Sequence, residues 1–410
     1  MPLFAEAQST NLRIATYSKG ALMILFLLAC ITDKDMEPEY AGLAVLGYED
    51  NEDEEVLWTL IGDSSDGLNI PRDLGFNPDR PGELWVVNRA DDSVTRFFDA
   101  ASSSQHSDHV IDPYAFHFME EVSSIEFGAT GTFGTCQESR NTYNDQGFPN
   151  DFMGPTLWSS ELDVFGESNP EAVEYLSDLY DMHTDLGSHL DMLHESPLCM
   201  GIAWQFENIY WVFNGKVGSI DRNNFHKDHG IGFDDHSDGS IFRYGAGEFE
   251  RLPDIPSHMK FDHSTQFLYI ADTGNNAIKI LDTQTGEADT RQAVKEPGTE
   301  HYAMKNEAIW TLIDGSDYGM EAPSGLTIVD DTLLITDNKT STIYAFTTDG
   351  DFLDLLETPF PEGALMGIYA ASIDDLWMVN ALDDEVWRLQ SSAADPTATP
   401  SIDEYTTFFD

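Results

Sequence analysis

The chain has 410 residues, 41% of them hydrophobic, enough for a sizeable core. Its 74 Asp and Glu against 20 Lys and Arg leave a net charge of −54. Such a surface repels phosphate backbones and anionic membrane surfaces, which excludes nucleic acid as a partner and leaves a lipid anchor as the route to a membrane. The acids are spread along the whole sequence. They read as a solvated shell suited to a salty medium rather than as a bulk store for divalent cations.

Residues 21–29 (ALMILFLLA) form an apolar run behind Arg13 and Lys19. A helix needs about 20 such residues to cross a bilayer, so the run has the length of a signal-peptide core. Cys30 follows directly. Leu27-Leu28-Ala29-Cys30 resembles the lipobox of bacterial lipoproteins, with Leu27 three residues before the cysteine and Ala29 just before it. The resemblance implies a signal peptide over 1–29, acylation of Cys30 and a place in the bacterial cell envelope, periplasmic or surface. Residues 30–55 are acidic and aperiodic and read as a tether. In an oxidising compartment Cys136 and Cys199 are expected to form one disulfide, the alternative being two buried free cysteines.

Val56–Gly62 (VLWTLIG) reads as a strand without a neighbour in sequence. Six hairpins of common grammar follow, an apolar run ending in a polar residue, a turn, and a second alternating run. They are LWVVNRADDSVTRFF (Leu84–Phe98), a weaker copy FGTCQESRNTYN (Phe133–Asn144), YWVFNGKVGSIDRN (Tyr210–Asn223), FLYIADTGNNAIKILD (Phe267–Asp282), LLITDNKTSTIYAF (Leu333–Phe346) and LWMVNALDDEVWRL (Leu376–Leu389). Each is preceded by a further strand, starting near Arg72, Val122, Cys199, His258, Ser324 and Met366. Between these units lie Ala100–Glu121, expected to be irregular with some helix, and Asn169–Leu193, which opens with a helix start at Asn169-Pro170-Glu171. Asn224–Gly239 is expected to be a polar loop, and 391–410 reads as a flexible tail.

Units of roughly 40–50 residues made of short strands are the signature of β-propeller blades. The expected fold is all-β, a six-bladed propeller over 56–390 in which Val56–Gly62 supplies the missing strand of the last blade and closes the ring. The units resemble NHL repeats, most closely YIADTGNNAIKIL (Tyr269–Leu281). That resemblance is specific for fold and nearly silent on function.

In a meander blade the first strand starts and the second strand ends on the same face of the ring. The second-strand ends are Asn88, Gln137, Asn214, Asp272, Asp337 and Asn380, a polar set that can face a ligand or can cap its own turns. Near the first-strand starts stand Arg72, His194, Glu195, His258 and Ser324, the first four being candidate catalytic groups. Histidines crowd with acids in SHLDMLHES (His189, Asp191, His194, Glu195) and in HKDHGIGFDDHSDGS (His226, Asp228, His229, Asp234, Asp235, His236, Asp238). Imidazole with carboxylate suits Zn²⁺, carboxylate alone suits Ca²⁺, and His194, His258, His229, Asp234, Asp235, His236 and Asp238 are the candidate ligands. The spacings fit neither HExxH nor an EF-hand loop, and a hydrogen-bonded acidic surface loop is the plainer alternative.

Two families of six-bladed enzymes bear comparison. Peptidyl-hydroxyglycine amidating lyases bind zinc through histidines at strand starts, and only IPSHMKFD, with His258, stands in a similar context here. Calcium-dependent lactonases use Glu, Asn and Asp at the ring centre, which Asn214, Asp272 and Asp337 can mimic. No GxSxG or phosphate-cradling loop is present. The resulting expectation is an exported, lipid-anchored binding scaffold for a small molecule, peptide or protein. The alternative is a metal-dependent hydrolase or lyase centred on His194 and His258, with Arg72 orienting an anionic substrate.

Overall fold

A hairpin forms where an alternating apolar run meets a turn its residues can enter. In FLYIADTGNNAIKILD the strands Phe267–Asp272 and Ala277–Asp282 pair antiparallel across a turn in which Asn276 sits at φ 50°, a left-handed conformation that Asn tolerates. In a computed structural model that describes residues 42–47, 56–141 and 151–391, this unit recurs around a ring.

Strand β1 (Leu57–Gly62) precedes blade 1, which is β2 (Pro71–Phe76), β3 (Leu84–Asn88), β4 (Ser93–Phe98) and β5 (His106–Ile111). Helix α1 (Ala115–Phe118) leads to blade 2, made of β6 (Val122–Phe127), β7 (Thr132–Gln137), β8 (Thr156–Ser159) and, after helix α2 (Pro170–Tyr180), β9 (His189–Met192). Blade 3 is β10 (Cys199–Phe206), β11 (Ile209–Asn214), β12 (Ser219–Asn224) and β13 (Ser240–Tyr244). Blade 4 is β14 (Met259–Asp262), β15 (Phe267–Asp272), β16 (Ala277–Asp282) and, beyond a hairpin of β17 (Glu287–Arg291) and β18 (Glu300–Lys305), β19 (Ala308–Asp314). Blade 5 is β20 (Pro323–Val329), β21 (Thr332–Asp337), β22 (Thr342–Thr347) and β23 (Phe352–Glu357). Blade 6 is β24 (Leu365–Ser372), β25 (Asp375–Asn380) and β26 (Glu385–Gln390), with β1 as its fourth strand, Leu57 opposite Gln390 and Leu60 opposite Trp387.

The first strands touch in the cyclic order β2, β6, β10, β14, β20, β24 and back to β2, so the ring is closed. It is a six-bladed β-propeller, with the N-terminal strand as the closure that the sequence predicts.

Aromatic side chains fill the spaces between blades. Trp85 packs with Phe127, Phe133 and Phe165 between blades 1 and 2, and Trp377 meets Phe76 edge-on at 4.9 Å between blades 6 and 1. Three blades repeat a further device. Trp85, Trp211 and Trp377 on the second strands lie opposite Arg96, Arg222 and Arg388 on the third, each guanidinium 4.9–5.9 Å from its ring. The disulfide Cys136–Cys199 ties β7 to β10, the pairing expected of these two cysteines.

Four segments differ from the sequence reading. Ala100–Glu121 is not simply irregular, because it contains β5, whose polar residues face solvent on a blade edge and show little periodicity. Asn169–Leu193 does hold the Asn169-capped helix α2, but its end is β9. In the weak repeat the arm opposite β7 is not ESRNTYN. Glu138 turns out of the sheet to meet Arg251, and β8 takes the pairing. The hairpin β17–β18 was not anticipated. It adds β18 parallel to β13 and widens blade 3 to six strands. The signal peptide, Cys30, the tether as far as Ala41 and 48–55, and 392–410 of the tail lie outside the described residues.

Candidate functional site

The start of each first strand and the end of each second strand adjoin on one face of the ring. Pro71 lies opposite Asn88, Val122 opposite Gln137, Cys199 opposite Asn214, Pro323 opposite Asp337 and Leu365 opposite Asn380. Asp272 occupies the same place in blade 4, after Ala271, whose N–H donates to His258 O. All six polar residues have 0% exposure and hydrogen-bond within the protein. Asn88 Nδ2 donates to Ser93 and Thr95, and its Oδ1 accepts from Asn69 N–H. Asn214 Oδ1 accepts from the Lys216 and Val217 amides, and Asn380 Oδ1 from those of Leu382 and Asp383. Asp337 takes four donors, from Glu321, Ala322 and Thr340. Asp272 accepts from Glu250 N–H and pairs with Lys279 at 2.7 Å. Gln137 donates to Phe118 O. Capping and bracing of turns occupies five of the six, while Gln137 keeps a buried Oε1 with no hydrogen-bond partner among the described residues.

Arg72 is different. It is the second residue of β2 and is 3% exposed, with Nη1 2.6 Å from Met366 Sδ on β24. Among the described residues no carboxylate oxygen lies within 4.0 Å of its guanidinium. Burial, and then the charge of Arg89, lower its value to about 10, so it stays cationic at neutral pH. Around it runs a network that crosses the axial mouth. Arg89 of blade 1 contacts Asp254 at 2.8 Å, Glu121 at 3.3 Å and Glu138 at 3.6 Å, and Arg251 reaches Glu138 at 2.6 Å. Burial pushes the Glu138 carboxyl up, against the Asp254 amide and the guanidinium groups of Arg89, Arg251 and Arg72. Ser324, at the start of β20, has a buried hydroxyl with no hydrogen-bond partner among the described residues.

Below the mouth, the first strands of all six blades line an axial cavity of ≈ 60 Å³, room for a water or two and not for a metabolite. Its wall carries polar groups from several blades, among them Asp73, Glu126, His258 and Lys260. His258 Nε2 lies 3.2 Å from Ser123 O and 3.6 Å from Asp73 Oδ2, and Lys260 holds Glu126 at 2.7 and 2.9 Å. Burial raises the carboxyls of Asp73 and Glu126, with His258 and Lys260 opposing it.

His194 is elsewhere. Its ring stacks on Phe152 at 3.9 Å and lies 5.4 Å from His236 and 5.9 Å from His117. Burial and these neighbouring imidazoles push it well below the ordinary histidine range, so it is neutral. His194 and His258 therefore share no partner and do not form the metal pair expected from the sequence. Glu195 is used structurally, accepting from Lys295 N–H. Asp234 bonds the Tyr180 hydroxyl and Asp235 caps Ser237. The structure does bring His229 Nε2 to Asp238 Oδ1 at 2.9 Å and His236 Nδ1 to Asp191 Oδ1 at 2.9 Å. Asp191 and His117 are the residues that the sequence reading left out of its ligand set. Asp191 sits on β9, itself unrecognised, and His117 on α1 lies in a segment without a motif.

No known protein family matches the chain, and no curated protein matches it. Among solved structures it is similar to an auxiliary nutrient binding protein from Bacteroides ovatus (TM-score 0.48, 10% identity, 84% of this chain and 74% of that one). It is also similar to virginiamycin B lyase from Staphylococcus aureus (TM-score 0.45, 12% identity, 82% and 99%). A luciferin-regenerating enzyme gives a TM-score of 0.45 at 14% identity over 83% and 96%. At these identities the likeness is one of architecture alone.

Proposed function

We propose that this protein is an exported, lipid-anchored propeller that binds an anionic small molecule, or a carboxylate of a peptide or protein, at the axial mouth. The observation that supports this is Arg72, a buried guanidinium without a carboxylate of its own. Leaving a buried charge unpaired costs several kcal/mol, and a bidentate carboxylate matches the guanidinium fork. Arg89 and Arg251 stand at the same mouth but are already paired with Glu121, Glu138 and Asp254, which leaves the guanidinium of Arg72 as the group for an anion. The net charge of −54 opposes long-range attraction of an anion. In a salty medium the Debye length is about 8 Å or less, and local contacts decide.

Export over 1–29, acylation at Cys30, a tether over 30–55 and a free tail over 391–410 belong to the same proposal. The disulfide supports an oxidising compartment. Replacing Cys30 by serine is expected to move the protein from the membrane to the soluble fraction. A metal-dependent hydrolase or lyase is the second reading. It draws on the imidazoles and carboxylates between blades 2 and 3 rather than on a His194–His258 pair.

The test is thermal unfolding of the purified protein in acetate, citrate, sulfate and chloride at matched ionic strength. A saturable rise in Tm with citrate, absent in Arg72→Gln, is the expected result. Equal stabilisation of both proteins by every anion would leave Arg72 without a ligand role.

A further inference from the structure

The loop that follows β12 lies along β9, with Gly232 N–H donating to His189 O at 2.8 Å and His229 N–H to Leu190 O at 3.4 Å. This register sets the His229 and Asp238 side chains over Asp191. Asp191 has 0% exposure. Its Oδ1 is saturated by Met192 N–H at 2.6 Å and His236 Nδ1 at 2.9 Å. Its Oδ2 is buried, has no hydrogen-bond partner among the described residues, and lies 4.0 Å from His229 Nε2. Asp238 Oδ1 is 2.9 Å from the same nitrogen, and one ligand atom from each of the three residues falls within 4.8 Å of the others.

We propose that Asp191 Oδ2, His229 Nε2 and Asp238 Oδ1 hold a divalent first-row transition metal. A buried carboxylate oxygen with nothing to bind is the costly feature that a cation would relieve. Ligand bonds of about 2.0–2.2 Å from one ion require donor atoms roughly 3–4 Å apart, and this triad needs only small side-chain movement to reach that spacing. The surroundings act as ligand-orienting groups do elsewhere. His236 and the Met192 amide fix one oxygen of Asp191 and leave the other free. His229 Nε2–H donates to Asp238 Oδ1 here, so a metal at Nε2 replaces that proton, and Asp235 Oδ2, 3.6 Å from His229 Nδ1, is placed to favour a proton on Nδ1 instead. One imidazole with two carboxylates suits Zn²⁺ or Mn²⁺ better than Ca²⁺, which takes six to eight oxygens. The His229 and Asp238 side chains are 16% and 38% exposed, so an ion can enter from solvent and keeps positions for water. The site stands apart from the argument for Arg72, and either can fail without the other.

The experiment is titration of the chelator-treated full chain with Zn²⁺ alone, in buffer of high ionic strength to suppress loose binding by surface acids. One equivalent is expected to bind, with at least tenfold weaker binding in Asp191→Asn and in His229→Gln. His236→Gln, which disturbs only the positioning of Asp191, is expected to weaken binding 10–100-fold. His258→Gln serves as the unaffected control, and Co²⁺ substitution should give a visible absorption band that His229→Gln shifts. Because the wild-type titration needs no variant, absence of a stoichiometric site there overturns the proposal. So does uptake that Asp191→Asn and His229→Gln leave unchanged, or preferential Ca²⁺ binding indifferent to His229→Gln.

Discussion

Replacing Arg388 or Arg96 by methionine separates two arginines that look alike in sequence. Arg388 pairs with Asp375 through bonds of 2.8 and 2.6 Å, and Arg96 with Asp108 through bonds of 2.7 and 2.6 Å. Each also lies over the tryptophan opposite, at 4.9 Å for Trp377 and 5.4 Å for Trp85. The acids differ. The Asp375 side chain is 7% exposed and the Asp108 side chain 42%. Methionine keeps most of the packing volume in both cases and removes the cation–π contact, worth about 0.5–2 kcal/mol. In Arg96→Met the abandoned Asp108 rehydrates, so the total loss should stay near 1–2 kcal/mol. In Arg388→Met the abandoned Asp375 stays buried, and the loss should reach about 3–5 kcal/mol. Equilibrium urea unfolding followed by tryptophan fluorescence reads the difference as a shift in midpoint. The double variant Asp375→Leu with Arg388→Met should recover much of the loss, because no charge is left stranded. Equal effects of the two single variants, or a double variant no better than Arg388→Met, would refute the reasoning.

Asp92 offers a test in pH. Burial first, then the charges of Glu120, Glu121 and Asp91, raise its carboxyl from 3.8 to about 7, against a hydrogen bond from Glu121 N–H. A raised value means that the folded state holds the extra proton, so this contribution is present below about pH 4 and is lost as pH rises through about 7. Asp92→Asn should therefore be more stable than wild type at pH 8, with the advantage shrinking on acidification and gone below about pH 4. An advantage that does not change with pH would contradict this. The Cys136–Cys199 bond closes a separation of 63 residues, for which loop-closure entropy gives about 4 kcal/mol. Loss of that order is expected in Cys136→Ser with Cys199→Ser, measured as the drop in Tm relative to oxidised wild type, and a drop already present in reduced wild type should add nothing to it.

Much of the architecture was legible because second and third strands share both apolar runs and turn chemistry, as in Phe267–Asp282. Val56–Gly62 could be placed because a blade with three strands and a strand with no blade complete each other. The fourth strands were harder. HSDHVI is an edge whose side chains are all exposed or only partly covered, in no regular alternation, so hydrophobic periodicity hardly marks it. The spacing of eleven from Trp85 to Arg96, Trp211 to Arg222 and Trp377 to Arg388 was visible in the sequence and would have supported three of the blades. The site was less legible for a physical reason. Whether Asn88 or Asp337 caps a turn or faces a ligand depends on side-chain direction, which strand grammar does not encode. Asp191 and His229 meet only because a loop of blade 3 is laid along the outer strand of blade 2.

The most direct test of the anion-binding account is a crystal structure of the propeller grown with selenate, located by its anomalous scattering. The account requires a selenate within hydrogen-bond distance of the Arg72 guanidinium, displaced by citrate and absent in Arg72→Gln crystals. Selenate found only at other sites, or Arg72 paired with a carboxylate of its own chain, would contradict it.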